Sequence, residues 1–204
     1  MIEDLEKYLD ELFPSPKCEL NFNKDYELLI AVVLSAQTTD KRVNSVTSVL
    51  FDKYKSLEDL SKAEIEDIAT IIKPIGTFNK KAMFVKEITK ILVEKYDGRV
   101  PNDRRSLENL PGVGRKTANV VLSVLFNVPA IAVDTHVSRV SKRLGLVKKN
   151  DDVGIIEKKL MKKLAKQNWS KRHHQLVLFG RYHCKAISPN CSNCKIKEHC
   201  KDSR

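Results

Sequence analysis

Apolar positions recur along this chain at the three- and four-residue spacing of helices, and no convincing two-residue alternation marks a strand. Ile2, Leu5, Leu9 and Leu12 form one stripe, closed by Phe13-Pro14-Ser15-Pro16, which predicts a first amphipathic helix. Tyr26 to Ala36 is apolar almost all round, as in a helix buried at the centre of a bundle. It runs into a polar knuckle, Ser35-Ala36-Gln37-Thr38-Thr39-Asp40, after which Val43, Val46 and Leu50 carry the next helix. Ser56-Leu57-Glu58-Asp59 and Ser61-Lys62-Ala63-Glu64 both read as capping boxes, the second opening a helix with Ile65, Ile68 and Ile72 inward and Pro74 and Gly76 at its end. Val85, Ile88 and Leu92 form the inner face of a longer helix over 80–96, with Gly98 as its C-cap. A short helix over 106–110 leads into a glycine-rich corner. Asp134 is placed as N-cap of a helix ending at Leu144-Gly145, another helix spans about 152–165, and a last one spans roughly 173–182. Each proline falls at a predicted boundary, so the chain reads as all-α.

The corner is Leu110-Pro111-Gly112-Val113-Gly114-Arg115-Lys116-Thr117-Ala118. Its two glycines let the backbone take φ > 0, so that successive N–H groups point into one concavity and seat an anion. The helix starting near Arg115 adds unpaired N–H groups and its positive dipole end, which suits a phosphate. Along that helix Lys116, Asn119, Ser123 and Asn127 form a polar stripe, and Ala118, Val121, Leu122 and Leu125 a buried one. Lys116 thus leaves the same helix end that would hold the phosphate, where the dipole disfavours its ammonium and eases access to the free amine a nucleophile needs. The plain alternatives are an ordinary turn and a solvated lysine.

Composition adds a partner and a compartment. With 204 residues, a net charge of +11 and a pI of about 9.4, the chain points to a polyanion, nucleic acid ahead of membrane. No apolar run is long enough to span a bilayer, and Met1-Ile2-Glu3-Asp4 lacks the basic start of a signal peptide, so a cytoplasmic protein kept with the genomic DNA is expected. Four of the five cysteines, Cys184, Cys191, Cys194 and Cys200, follow a C-x6-C-x2-C-x5-C spacing that can surround one metal centre. Zinc and [4Fe–4S] both accept four thiolates; only Cys191 and Cys194 form a C-x2-C pair, which favours the iron–sulfur cluster over a zinc ribbon. Cys18 reads as a small buried thiol, and His173, His174 and His199 as surface residues.

Together these pieces resemble the endonuclease III family of base-excision DNA glycosylases along essentially the whole chain. The resemblance is carried by Leu34-Ser35-Ala36-Gln37, residues 110–121, Ile131-Ala132-Val133-Asp134-Thr135-His136, Gly180-Arg181-Tyr182 and the cysteine spacing. It implies a helix–hairpin–helix DNA glycosylase fold of two helical lobes with a cleft between them. One lobe is continuous over 19–129, with the helix–hairpin–helix motif at about 107–126; the other joins 1–18 to 130–204 and carries the [4Fe–4S] loop at 184–200. The activity implied is that of a bifunctional DNA glycosylase and AP lyase acting, as a monomer, on double-stranded DNA with a damaged base or abasic site. It would remove oxidised pyrimidines of the thymine glycol type and nick the abasic site by β-elimination.

By the same resemblance Lys116 attacks C1′ and forms a Schiff base, while Asp134 takes the lysine's proton and stabilises charge on the sugar. Asp134 on its position alone is equally a helix N-cap. Gln37 would fill the space left by the extruded base, helped by an apolar wedge in Gly76-Thr77-Phe78-Asn79. Thr77 stands where leucine is common in the family, so Phe78 is the second candidate. Gly112, Val113, Gly114 and Arg115 would hold the DNA backbone, and Lys185 is the one basic residue between Cys184 and Cys191. Two rivals stay in view. A monofunctional adenine glycosylase needs a carboxylate near Ala31 and typically lacks the hairpin lysine; a non-catalytic helix–hairpin–helix module would bind DNA without covalent chemistry.

Overall fold

The computed structural model describes residues 1–202, and every regular element among them is helical. The α-helices are α1 (Ile2–Leu12), α2 (Asp25–Leu34), α3 (Asp40–Lys53), α4 (Leu57–Lys62), α5 (Ile65–Ile72), α6 (Phe78–Lys95), α7 (Arg104–Glu108), α8 (Arg115–Phe126), α9 (Thr135–Arg143), α10 (Val153–Lys163) and α11 (Trp169–Leu178). The chain divides into two compact units, one of residues Glu19–Phe126 and one that combines Met1–Cys18 with the chain from Asn127 onward.

In the first unit α2 is the central rod. Tyr26 through Leu34 are all buried, and α3, α6 and α8 pack around it, so its lack of a polar face is matched by neighbours on every side. Ser56 caps α4, its hydroxyl accepting from the Asp59 amide at 3.0 Å. The expected second capping box does not form. Leu57 and Leu60 carry α4 on through Lys62, Ser61 lies inside it with its hydroxyl donating to the Glu58 carbonyl, and Ala63 turns to extended backbone before α5 begins. Ile65 consequently starts α5 on its outer side, 37% exposed rather than inward. The predicted helix over 106–110 begins earlier, at Arg104, because Asp103 supplies the cap to the Ser106 amide. Helix α6 ends in two left-handed residues, Asp97 and Gly98, and the Gly98 amide reaches back to the Leu92 carbonyl at 2.9 Å.

In the second unit Leu5, Leu9, Ile131, Val133, Val137, Val140, Ile156, Leu160, Leu176 and Phe179 build the core from α1, α9, α10 and α11 and from the residues just before α9 and just after α11. Helix α1 is tied to α11 by polar groups as well. The Arg172 guanidinium meets Glu6 at 2.8 Å and Asp10 at 2.6 Å, and the Gln175 amide donates to the Leu9 and Phe13 carbonyls. Because α11 packs on both α1 and α9, most of its circumference is covered. His173 is therefore buried, not on the surface as expected, and burial pushes the His174 imidazole down. A wider π-type turn, Phe179–His183, follows α11 and delivers Cys184.

Candidate active site and nucleic-acid interface

Helices α7 and α8 pack together and frame the glycine corner. Leu110 and Val113 bury their side chains, while the Val113 amide donates to the Leu110 carbonyl at 3.1 Å and closes the turn. Gly112 has φ +74°, and a Cβ there would meet Phe84 Cδ2 at 2.5 Å, so both conformation and space demand glycine. Gly114 is exposed, and its carbonyl accepts from the Ala118 amide at 2.9 Å as the first bond of α8. Arg115 and Lys116 are exposed in the first turn of α8, which contains no acidic residue. Two cations at a positive dipole end are each unfavourable by about 0.3–1 kcal/mol in isolation, a cost that a bound anion reverses. The polar stripe behind Lys116 is not a solvent face: Asn119 and Ser123 are buried and Leu125 only half-buried, and both α2 and α7 pack against α8.

Asp134, in the other unit, follows the buried segment Ile131–Val133 and caps α9, its Oδ1 accepting from the Val137 amide at 2.8 Å. It is half-buried.

Gln37 and Thr77 share an uncommon backbone. Both are non-glycine residues with φ +55°, and both are exposed. Left-handed conformation costs an ordinary L-residue about 1–2 kcal/mol, and such strain concentrates at functional sites. Gln37 lies in the turn after α2, where the Thr38 amide donates to the Ser35 carbonyl at 3.1 Å. Thr77 precedes α6 without capping it, its hydroxyl donating to the Gly76 carbonyl. Phe78 opens α6 and is half-buried. Between these loops sits Lys81, a charge in the apolar register of Val85, Ile88 and Leu92 that no local motif marks as functional. It is 3% exposed.

All four cysteines of the C-terminal loop are half-buried. The Cys184 amide donates to the Phe179 carbonyl at 2.7 Å, the Cys194 amide to the Cys191 carbonyl, and the Cys200 amide to the Lys197 carbonyl. Arg143 joins the two ends: its Nη1 donates to Cys184 Sγ at 3.5 Å and to the Lys185 carbonyl at 2.6 Å, while its own carbonyl accepts from Cys200 Sγ. Burial pushes the Cys194 thiol up, and the charges of Cys184, Cys200 and Cys191 add to that, so the four sulfurs share one electrostatic neighbourhood. Among the described residues no three His, Cys, Asp or Glu side chains converge closely enough to hold a single metal ion. Lys185 is exposed, and Cys18 is half-buried rather than buried. No helix among the described residues is long and apolar enough to cross a membrane.

Residues 30–166 match the family model of the HhH-GPD superfamily base excision DNA repair protein, which makes the corner between α7 and α8 a helix–hairpin–helix motif. The chain is 50% identical over 206 aligned positions to endonuclease III of Bacillus subtilis (strain 168), covering 100% of this chain and 94% of that protein. It is 45% identical over 192 positions to endonuclease III of Escherichia coli (strain K12), covering 94% and 90%. Among solved structures it is similar to a trapped endonuclease III–DNA covalent intermediate in an estranged-adenine complex, with TM-score 0.94, 48% identity, and 100% and 97% of the two chains covered. A thermostable thymine-DNA glycosylase is a more distant neighbour, at TM-score 0.83 and 25% identity over 98% and 95% of the chains. The chain belongs to the endonuclease III family.

Proposed function

We propose that this protein removes oxidised pyrimidines of the thymine glycol type from double-stranded DNA and nicks the resulting abasic site, acting as a monomer beside the genomic DNA. It is a DNA glycosylase with AP lyase activity, and the observation that carries the residue-level reading is the first turn of α8. There an exposed Lys116 leaves the same helix end that the Gly112–Gly114 hairpin opens toward an anion.

A base in the duplex stack is out of reach, so the nucleotide must be extruded, and Gln37 with the Thr77–Phe78 loop would occupy the space it leaves. A backbone phosphate on the hairpin amides and the α8 N-terminus fixes the sugar beside Lys116. The Lys116 amine forms a bond to C1′ as the C1′–N bond to the base breaks and the base leaves with that electron pair. Ring opening gives a protonated Schiff base. Loss of a C2′ proton then expels the 3′ phosphate oxygen, and hydrolysis frees the lysine. The Asp134 carboxylate accepts the proton that Lys116 must lose and opposes positive charge developing on the sugar.

Cys184, Cys191, Cys194 and Cys200 would hold a [4Fe–4S] cluster. The donor chemistry fits: four thiols in one loop, three of them bearing electrostatically on Cys194, with a guanidinium donating to Cys184. Zinc at about 2.3 Å from each sulfur requires a tighter cage than a four-iron cluster. Bound there, the group would supply metal–thiolate bonds that cross-link the loop carrying Lys185.

The test is borohydride reduction during incubation with duplex DNA containing thymine glycol or an abasic site. A covalent protein–DNA complex that Lys116→Ala abolishes is expected. Base release without trapping would refute the lyase step, and binding alone would leave a non-catalytic module.

A further inference from the structure

Lys81 is a buried ammonium held by two backbone carbonyls and a hydroxyl. Its Nζ donates to the Leu34 carbonyl at 2.9 Å, the Ala36 carbonyl at 2.7 Å and the Thr38 hydroxyl at 3.1 Å, which uses all three of its protons. Taking an ammonium out of water costs several kcal/mol unless its bonds are complete. The Leu34 carbonyl ends α2, where the negative dipole end offsets part of that cost. Ending α2 would require only that one bond. The other two acceptors lie beyond the helix, on either side of Gln37, so the ammonium ties down both residues that flank its strained backbone. On its main-chain side the Lys81 amide donates to the Thr77 carbonyl at 3.1 Å, the first bond of α6. The two left-handed, exposed residues of this unit proposed to enter the duplex are thus each held, directly or through their immediate neighbours, by Lys81.

We infer that Lys81 is a positioning residue that locks the Gln37 turn and the Thr77 turn into one rigid element for filling the space vacated by an extruded base. The inference rests on the reading that these two loops enter the duplex. Without the ammonium, Ala36 and Thr38 lose their tether, Gln37 relaxes out of the left-handed region, and its side chain no longer projects as one preformed wedge with Thr77. Chemistry that needs extrusion from a paired duplex slows; chemistry on a sugar already free of base and partner does not.

The experiment compares excision from a thymine glycol duplex with borohydride trapping on a single-stranded abasic oligonucleotide. It uses the full chain carrying Lys81→Met, Thr38→Val, Gln37→Ala, or Lys81→Met with Gln37→Ala. Lys81→Met should lower kcat/KM on the duplex by about 10- to 100-fold, the scale of an ångström-level misplacement, and leave single-strand trapping unchanged. Thr38→Val removes one acceptor from the surface side and should give a smaller loss in the same direction, so a Lys81 variant that fails to fold does not end the test. In the Gln37→Ala background, Lys81→Met should add little, because two residues acting as one unit are not additive. Equal losses on both substrates, or full additivity with Gln37→Ala, would overturn the positioning role. Undiminished duplex activity of Gln37→Ala would instead overturn the reading of the loops on which it stands.

Discussion

Replacing Asp134 by Asn separates two jobs that the native carboxylate combines. Asn offers a side-chain oxygen to the Val137 amide as Asp134 does at 2.8 Å, and Asn and Asp rank together as N-caps, so the start of α9 keeps its bond. Only the charge goes. A carboxylate at a helix N-terminus contributes about 0.3–1 kcal/mol at low ionic strength. For a chain of this size 1 kcal/mol moves the melting temperature by about 2–4 °C, so Asp134→Asn should melt within roughly 4 °C of the parent. Asp134→Ala loses the capping bond as well, about 1 kcal/mol more. Chemistry should respond on another scale. Removing a preorganised electrostatic partner of a transition state costs about 10²–10³ in rate, and single-turnover excision by Asp134→Asn should fall by that factor. Duplex affinity should hold or tighten, since a negative charge has been removed from a protein that binds phosphates. Differential scanning calorimetry, single-turnover excision and binding anisotropy on the same preparation read all three quantities. Parental activity in a normally folded Asp134→Asn protein would reduce Asp134 to a helix cap and refute the catalytic assignment.

Gly112→Ala places a Cβ 2.5 Å from Phe84 Cδ2 at a φ of +74°, and urea unfolding should show a loss of about 1–3 kcal/mol together with weaker DNA binding by anisotropy. Asp10 gives a pH signature. The Arg172 guanidinium, with Lys171 and Gln175, holds its carboxyl well below the usual range. A depressed carboxylate contributes stability that is present above its unfolded pKa, about 4, and is lost as pH falls toward the folded value. The melting temperature should therefore drop steeply below about pH 4 and less steeply in Asp10→Asn, which starts lower at pH 7. Protein expressed with iron should carry a broad visible absorption band that Cys191→Ser removes; a colourless protein containing zinc would overturn the cluster assignment.

Some of this architecture is written plainly in local sequence. An all-round apolar run such as 26–34 can only be a rod surrounded by other helices, and Asp134 three residues before Val137 announces a cap. The misreadings have a common origin in burial that local spacing does not encode. Ser61 carries the residues of a capping box, yet burying Leu60 keeps it inside α4. Asn119, Ser123 and His173 look like surface residues until the helices covering them are in place. The backbone of Gln37 and Thr77 is the clearest case. Neither residue type signals a left-handed conformation, and the lysine that holds both turns lies 44 positions after the first and four after the second. Lys81 itself was visible only as one charge interrupting an apolar register.

The discontinuous unit sets a schedule for synthesis. Tyr8 on α1 donates its hydroxyl to the carbonyl of Asn193, 185 positions downstream, so at roughly 5–20 residues per second the first helix leaves the ribosome about ten to forty seconds before its partner exists. During that interval Glu19–Phe126, a contiguous compact unit, is already complete in sequence, while Leu5 and Leu9 lack the core partners that α11 brings. A nascent chain stalled before α11 would therefore be half finished and adhesive at its leading end, a natural target for a chaperone.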